Sequence, residues 1–124
     1  PEYSSAASDV YKRQVFAEGI PIFDSSVQID SENLGEKVAI TLGEYKGVLL
    51  KGHGIAVVGE SIEDATVSAV SLERSAQLEI TASKLGDIQE ISISELNEDL
   101  VSVGLTKDEF VRAQWDYWKF KTEY

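Results

Sequence analysis

The chain has 124 residues, 43% of them hydrophobic, with 22 acidic residues against 11 basic ones and a net charge of −11. Such a length suits one domain with a real core, and the acidic balance argues against nucleic acid and anionic membrane surfaces, which are met by clustered lysine and arginine. Cysteine is absent, which excludes disulfides, thiol catalysis and thiolate metal sites; no apolar run approaches the roughly 20 residues needed to span a bilayer, so a cytoplasmic protein is expected.

The chain opens on SSAASDVYKRQ, Ser4 to Gln14, which is small and polar and then basic. A secretory signal carries its charge first and an apolar stretch afterwards, so this order does not fit one. The string matches one reading frame of a common transposase-based sequencing adapter. Residues 1–14 are therefore expected to be non-native, disordered and packed against nothing, with the natural sequence, residues 15–124, cut short on its N-terminal side. The alternative is an ordinary disordered tail.

From Val15 onward, IPIFDSSVQI reads as an extended approach segment, with Pro21 set against a helix. SENLGEKVAITLG places Leu34, Val38, Ala39 and Leu42 at helical spacing, with Ser31 as N-cap and Gly43 as the stop. GVLL is a short buried strand, and GIAVVGE is a second whose unbroken apolar character implies cover on both faces. Gly52, His53 and Gly54 between them predict a tight hairpin, because glycine accepts positive φ without penalty.

Ser61 and Asp64 form a capping box with Asp in place of the usual Glu or Gln. They open a long helix that runs to about Gly86, with Ile62, Ala65, Ala69, Leu72, Ala76 and Ile80 as its apolar stripe. A weaker helix, SELNEDLVSVG, follows. Thr106 and Glu109 make a second box in front of an aromatic helix, where Phe110, Trp115, Tyr117, Trp118 and Phe120 are too rich for an exposed tail and read as packing or subunit interface.

His53 is the single histidine. On residues alone such a histidine is more often a hydrogen-bonded structural group than a ligand. A catalytic metal takes about three protein ligands, no HxH or HExxH pair is present to supply them, and no GxSxG elbow supports serine catalysis. The flanking glycines nevertheless let another chain or a ligand approach the imidazole closely.

The run LLKGHGIAVVGESIEDATVSAVSLERSAQLEITASKLG resembles the C-terminal half of the class II aldolase/adducin family. The resemblance rests on Gly52-His53-Gly54 after a strand, on Gly59-Glu60-Ser61-Ile62-Glu63-Asp64-Ala65 opening a long helix, and on Leu72-Glu73 beyond. The preceding IPIFDSS and the helix ending in LG also fit, so the likeness covers most of residues 15–124. GHG alone is a weak motif; with the second strand, the GES turn and the helix it is fairly specific.

The resemblance implies an α/β fold, a three-layer α/β/α domain with a mainly antiparallel central sheet, truncated here on its N-terminal side. It implies a metal-dependent lyase that cleaves a C–C bond, by aldol cleavage or decarboxylation, through a metal-stabilised enediolate. The metal is divalent and in this family usually zinc. His53 corresponds to its third ligand, while the first two, an upstream HxH, and a catalytic glutamate further upstream have no counterpart here. No catalytic residue is therefore assigned, and the chain alone is expected to be inactive. The substrate would be a small oxygenated acid or a sugar or sugar phosphate, with a slight lean toward the decarboxylase-like branch from VFAEGIPIFDSSVQI and the WDYW-type tail. The full-length protein would be a homotetramer. The rival from another class is a non-catalytic interaction module like adducin.

Overall fold

The computed structural model describes residues 16, 18–89, 92, 94–95 and 106–123. It is a mixed α/β arrangement: β1 (Ile22–Phe23), α1 (Glu32–Leu42), β2 (Gly47–Leu50), β3 (Gly54–Val57), α2 (Ile62–Ser83) and α3 (Lys107–Glu123). The expectation for residues 1–14 and most of that for SELNEDLVSVG fall outside the described residues. Among the described residues no helix is long and apolar enough to cross a membrane.

The sheet has the order β1-β2-β3. Proline at 21 keeps its carbonyl but has no N–H to give, and that carbonyl accepts from Leu49 N–H at 2.9 Å. The result is a parallel pairing of β1 with β2, Ile22 opposite Leu49 and Phe23 opposite Leu50. β2 and β3 pair antiparallel, from Gly47 opposite Val57 to Leu50 opposite Gly54. One pair is thus parallel and one antiparallel. β2, flanked on both sides, carries Val48 with no solvent exposure. Val58 N–H donates to the Lys46 carbonyl at 3.0 Å, so Ala56 and Gly54, of the same parity, face β2. Ile55 and Val57 therefore turn their main-chain groups to the outer edge.

The helix boundaries follow their caps. Ser31 Oγ accepts from Leu34 N–H at 3.4 Å, and α1 ends where Gly43 takes φ +52 and donates its N–H to the Ala39 carbonyl. Ser61 Oγ accepts from Asp64 N–H at 3.0 Å to start α2. Thr106 and Glu109 exchange both bonds of a capping box, at 3.2 and 3.5 Å, at the head of α3.

The inner face of α2 differs from the apolar stripe expected of it. Asp64, Val67, Ser68 and Ser71 are buried, whereas Ile62 and Ile80 are 76% and 61% exposed. Small serines let a neighbour approach closely, and Ser71 satisfies its hydroxyl within the helix by donating to the Val67 carbonyl at 2.8 Å. A count of apolar residues alone misses a face built this way. Phe110 of α3, 3% exposed, closes on Val67, with Val111 and Trp115 packed around them. Lys107 near Asp64, Phe110 against Val67 and Arg74 over Trp118 advance together along both helices, so α2 and α3 run side by side in the same direction. The aromatic residues divide accordingly: Phe110, Trp115 and Trp118 pack inward, while Tyr117 and Phe120 are exposed.

The cover expected on both faces of β3 is not supplied by the described residues: Ile55 is 41% exposed and the adjoining Val58 46%.

Candidate functional site

The turn that carries His53 is dictated by backbone geometry. His53 N–H donates to the Leu50 carbonyl at 2.9 Å, closing a four-residue turn between β2 and β3. Gly52 takes φ +77 and Gly54 φ +124. The first is the positive φ that a type II turn requires at its third residue, and a side chain would be strained at either position. The imidazole between them projects, exposed, from the tip of the hairpin.

Its ring is fixed from one side. Nε2 lies 2.9 Å from the Ser26 carbonyl oxygen. A carbonyl oxygen only accepts, so Nε2 carries the proton in the neutral ring and the Nδ1 lone pair stays available. Ser26 belongs to a strap that follows β1, and Lys51 contacts both the end of β1 and that strap. Lys51 N–H donates to the Phe23 carbonyl at 3.3 Å, and its Nζ meets Asp24 Oδ1 at 2.6 Å. The Lys51 bond and charge keep the Asp24 carboxyl below the usual carboxylate range.

A second polar centre lies at the start of α2. The buried Asp64 carboxylate accepts from Glu60 N–H at 3.0 Å and pairs with Lys107 at 3.5 Å and Lys46 at 3.7 Å. Burial pushes its pKa up, but the Glu60 N–H and the two lysines outweigh that and hold it below the ordinary value. The capping box thus departs from the usual reciprocal form: Asp64, shorter than Glu, bonds the N–H of Glu60 instead of that of Ser61. Gly59 makes room for this, since a Cβ there would sit 2.5 Å from Ala65 N and 2.9 Å from Asp64 Oδ2. Lys107 also reaches Glu60 at 3.7 Å. Glu60, Ser61, Asp64, Lys107, Arg112 and Trp115 line a cleft between the two helix starts.

Among the described residues no three histidine, aspartate or glutamate side chains gather into a set that could hold a metal ion. His53 suits the role of one ligand: it is exposed, flanked by glycines, and has one ring nitrogen fixed and the other available. A catalytic ion takes about three protein ligands, so His53 alone does not make a metal site. Sequence reasoning missed Asp24, Ser26 and the ionic role of Asp64. Asp64 was legible as a cap, but its lysine partners lie 18 and 43 positions away in the chain.

The family model for the class II aldolase and adducin N-terminal domain matches residues 3–80, more than half of the chain. The chain belongs to this family. It is 31% identical over 87 residues to a 3,4-dihydroxyphthalate decarboxylase of Rhodococcus jostii, covering 69% of this chain and 35% of that protein. Proteins of the same name from Terrabacter and Arthrobacter keyseri are 26% and 27% identical, over 67% and 73% of this chain and 35% and 38% of theirs. The chain therefore spans somewhat over a third of the length of these relatives.

Proposed function

We propose that the protein to which this chain belongs is a divalent-metal-dependent lyase that breaks a carbon–carbon bond beside an oxygenated carbon, with His53 as one metal ligand. The observation that carries this reading is the glycine-flanked turn, which presents an exposed imidazole whose Nε2 is held by Ser26 and whose Nδ1 is available. Family membership supports the lyase class. A bound divalent ion, with zinc the preferred candidate, would supply Lewis acidity toward the charge left on the substrate when the bond breaks.

The contribution of this chain is positional. The hairpin sets where the imidazole stands, the strap sets its rotation, and the Asp64 centre joins the sheet to both helices behind it. The remaining ligands and the proton-moving group would come from the rest of the protein. That protein would complete a three-layer α/β/α domain, covering the outer edge of β3, and would work as a cytoplasmic homotetramer. The relatives named for 3,4-dihydroxyphthalate favour an aromatic acid with adjacent hydroxyls as substrate, and decarboxylation over aldol cleavage.

The test is CO2 release from 3,4-dihydroxyphthalate by the intact protein, stripped with a chelator and then resupplied with zinc. Release that disappears on stripping and returns with metal is the expected result. Equal release before and after stripping would refute metal dependence. A protein that retains no metal and cleaves neither this acid nor a sugar phosphate would instead be a non-catalytic, adducin-like module.

A further inference from the structure

We infer that the groove between α2 and α3 receives α1 of a second copy of this protein, with Ile40 as the inserted side chain. The inference deepens the proposed homotetramer, on which it rests, by naming a contact between its subunits. Ile40 lies near the end of α1 and is 79% exposed, although burial of an isoleucine is favourable. Glu32 and Glu36 precede it at four-residue steps, so the three share one face of the helix. All three are exposed, while Lys37 lies on the neighbouring row with Asn33 and Thr41. Among the described residues α1 packs against β1 and β2 and not against α2 or α3. The helices of its own chain therefore leave Ile40 uncovered.

Ala69, Val70, Glu73, Arg74 and Gln77 of α2 and Trp118 of α3 line an open groove of about 480 Å³. Ala69, Val70 and Trp118 are half-buried and give it an apolar floor. The Arg74 guanidinium lies over the Trp118 ring, 4.8 Å from its centre, which fixes a cation at the rim. Glu73 does not neutralise it, because its Oε1 accepts from Gln77 Nε2 at 3.0 Å. Among the described residues no carboxylate lies within ion-pair distance of Arg74. Lys121, exposed one turn beyond Trp118, adds a second positive charge. An apolar slot with cations at its rim is the complement of an isoleucine preceded by two glutamates. Tryptophan and arginine are also the residues most often found as anchors at interfaces. Two copies of a chain with net charge −11 repel each other in most orientations. Setting Glu32 and Glu36 against Arg74 and Lys121 therefore also selects which surfaces meet. The two patches differ, so the contact is heterologous. Each subunit offers α1 to one neighbour and its groove to the other, as a closed ring requires.

The experiment follows the mass of the intact protein by analytical ultracentrifugation over a dilution series. Ile40→Arg is expected to weaken subunit association by about 30-fold or more, with far-UV circular dichroism unchanged. Glu32→Lys/Glu36→Lys and Arg74→Glu/Lys121→Glu should each weaken it by about tenfold or more. The quadruple variant, in which the charges are exchanged, should recover wild-type assembly. A second measurement locates the contact. The chain has no cysteine, so tagged Ile40→Cys subunits can be co-expressed with untagged Gln77→Cys subunits and mildly oxidised beside the unsubstituted protein. A disulfide joining the two kinds of subunit is expected, and Ile40→Cys alone should form none. Unchanged assembly in Ile40→Arg, or no mixed disulfide, would overturn this inference alone and leave Ile40 covered by the remainder of its own subunit. A disulfide between two Ile40→Cys subunits would overturn it in favour of a symmetric contact. A monomeric wild-type protein would overturn the homotetramer reading beneath it.

Discussion

Lys107, the first residue of α3, lies 3.5 Å from the carboxylate of Asp64 in the first turn of α2. That contact joins two helix starts separated by 43 positions in the chain, and Lys46, just before β2, meets the same carboxylate from the sheet side. One buried side chain thus holds three elements together behind the His53 hairpin.

This arrangement predicts an acid-sensitive contribution to stability. The folded-state pKa of Asp64 lies below its ordinary value because the Glu60 N–H and the two lysines outweigh the penalty of burial. A depressed carboxylate stabilises the fold above its unfolded pKa of about 3.9, and that contribution is lost as pH falls through the folded value. In the intact protein Asp64→Ala is expected to cost about 1–3 kcal/mol at neutral pH, because the part-buried Glu60 N–H loses its charged acceptor and two lysines lose their partner. Urea unfolding of wild type and variant should show that difference at pH 7, and the difference should shrink as pH falls below about 3.9. A difference independent of pH would show that the carboxylate charge is not the stabilising feature.

Gly59 is required by space. Alanine there would bring a methyl 2.5 Å from Ala65 N and 2.9 Å from Asp64 Oδ2. The start of α2 would have to shift, at a cost of about 1–3 kcal/mol, and the bond from Glu60 N–H to Asp64 would be displaced with it. Since both changes act on one contact, the double variant Gly59→Ala/Asp64→Ala should be less destabilised than the sum of the single ones. Additive values from denaturation would separate the two residues.

The 124-residue chain by itself should associate. Among the described residues the buried hydrophobic side chains are Val48, Val67 and Phe110, while Ile55, Val58, Leu78 and Ile80 are exposed. The outer edge of β3 adds main-chain groups able to pair with another strand, and apolar surface beside such an edge promotes aggregation. Size-exclusion chromatography with light scattering is expected to give aggregates. A monodisperse monomer with a sharp thermal transition would contradict this.

What could be read from the sequence was short in range. The caps at Ser31, Ser61 and Thr106 each join a side chain to a backbone group three residues on, and all three were visible as patterns. The hairpin was visible too, because Gly52 and Gly54 announce positive φ. The inner face of α2 was not, since serines and an aspartate fill it and hydropathy ranks them as outward. Nor were the partners of His53 and Lys51, which sit 27 positions away on a strap with no periodic pattern. Their pairing follows from where β1 ends, which only the fold determines.

The central claim is that His53 binds a divalent metal in the intact protein, and metal content tests it most directly. Wild type and His53→Ala would be purified in parallel, equilibrated with zinc, desalted and measured for bound metal per subunit by elemental analysis. Removing one of about three protein ligands leaves an open, weak site, so the variant should fall to trace metal while its far-UV circular dichroism stays that of wild type. Wild-type metal content in a folded His53→Ala protein would contradict the account.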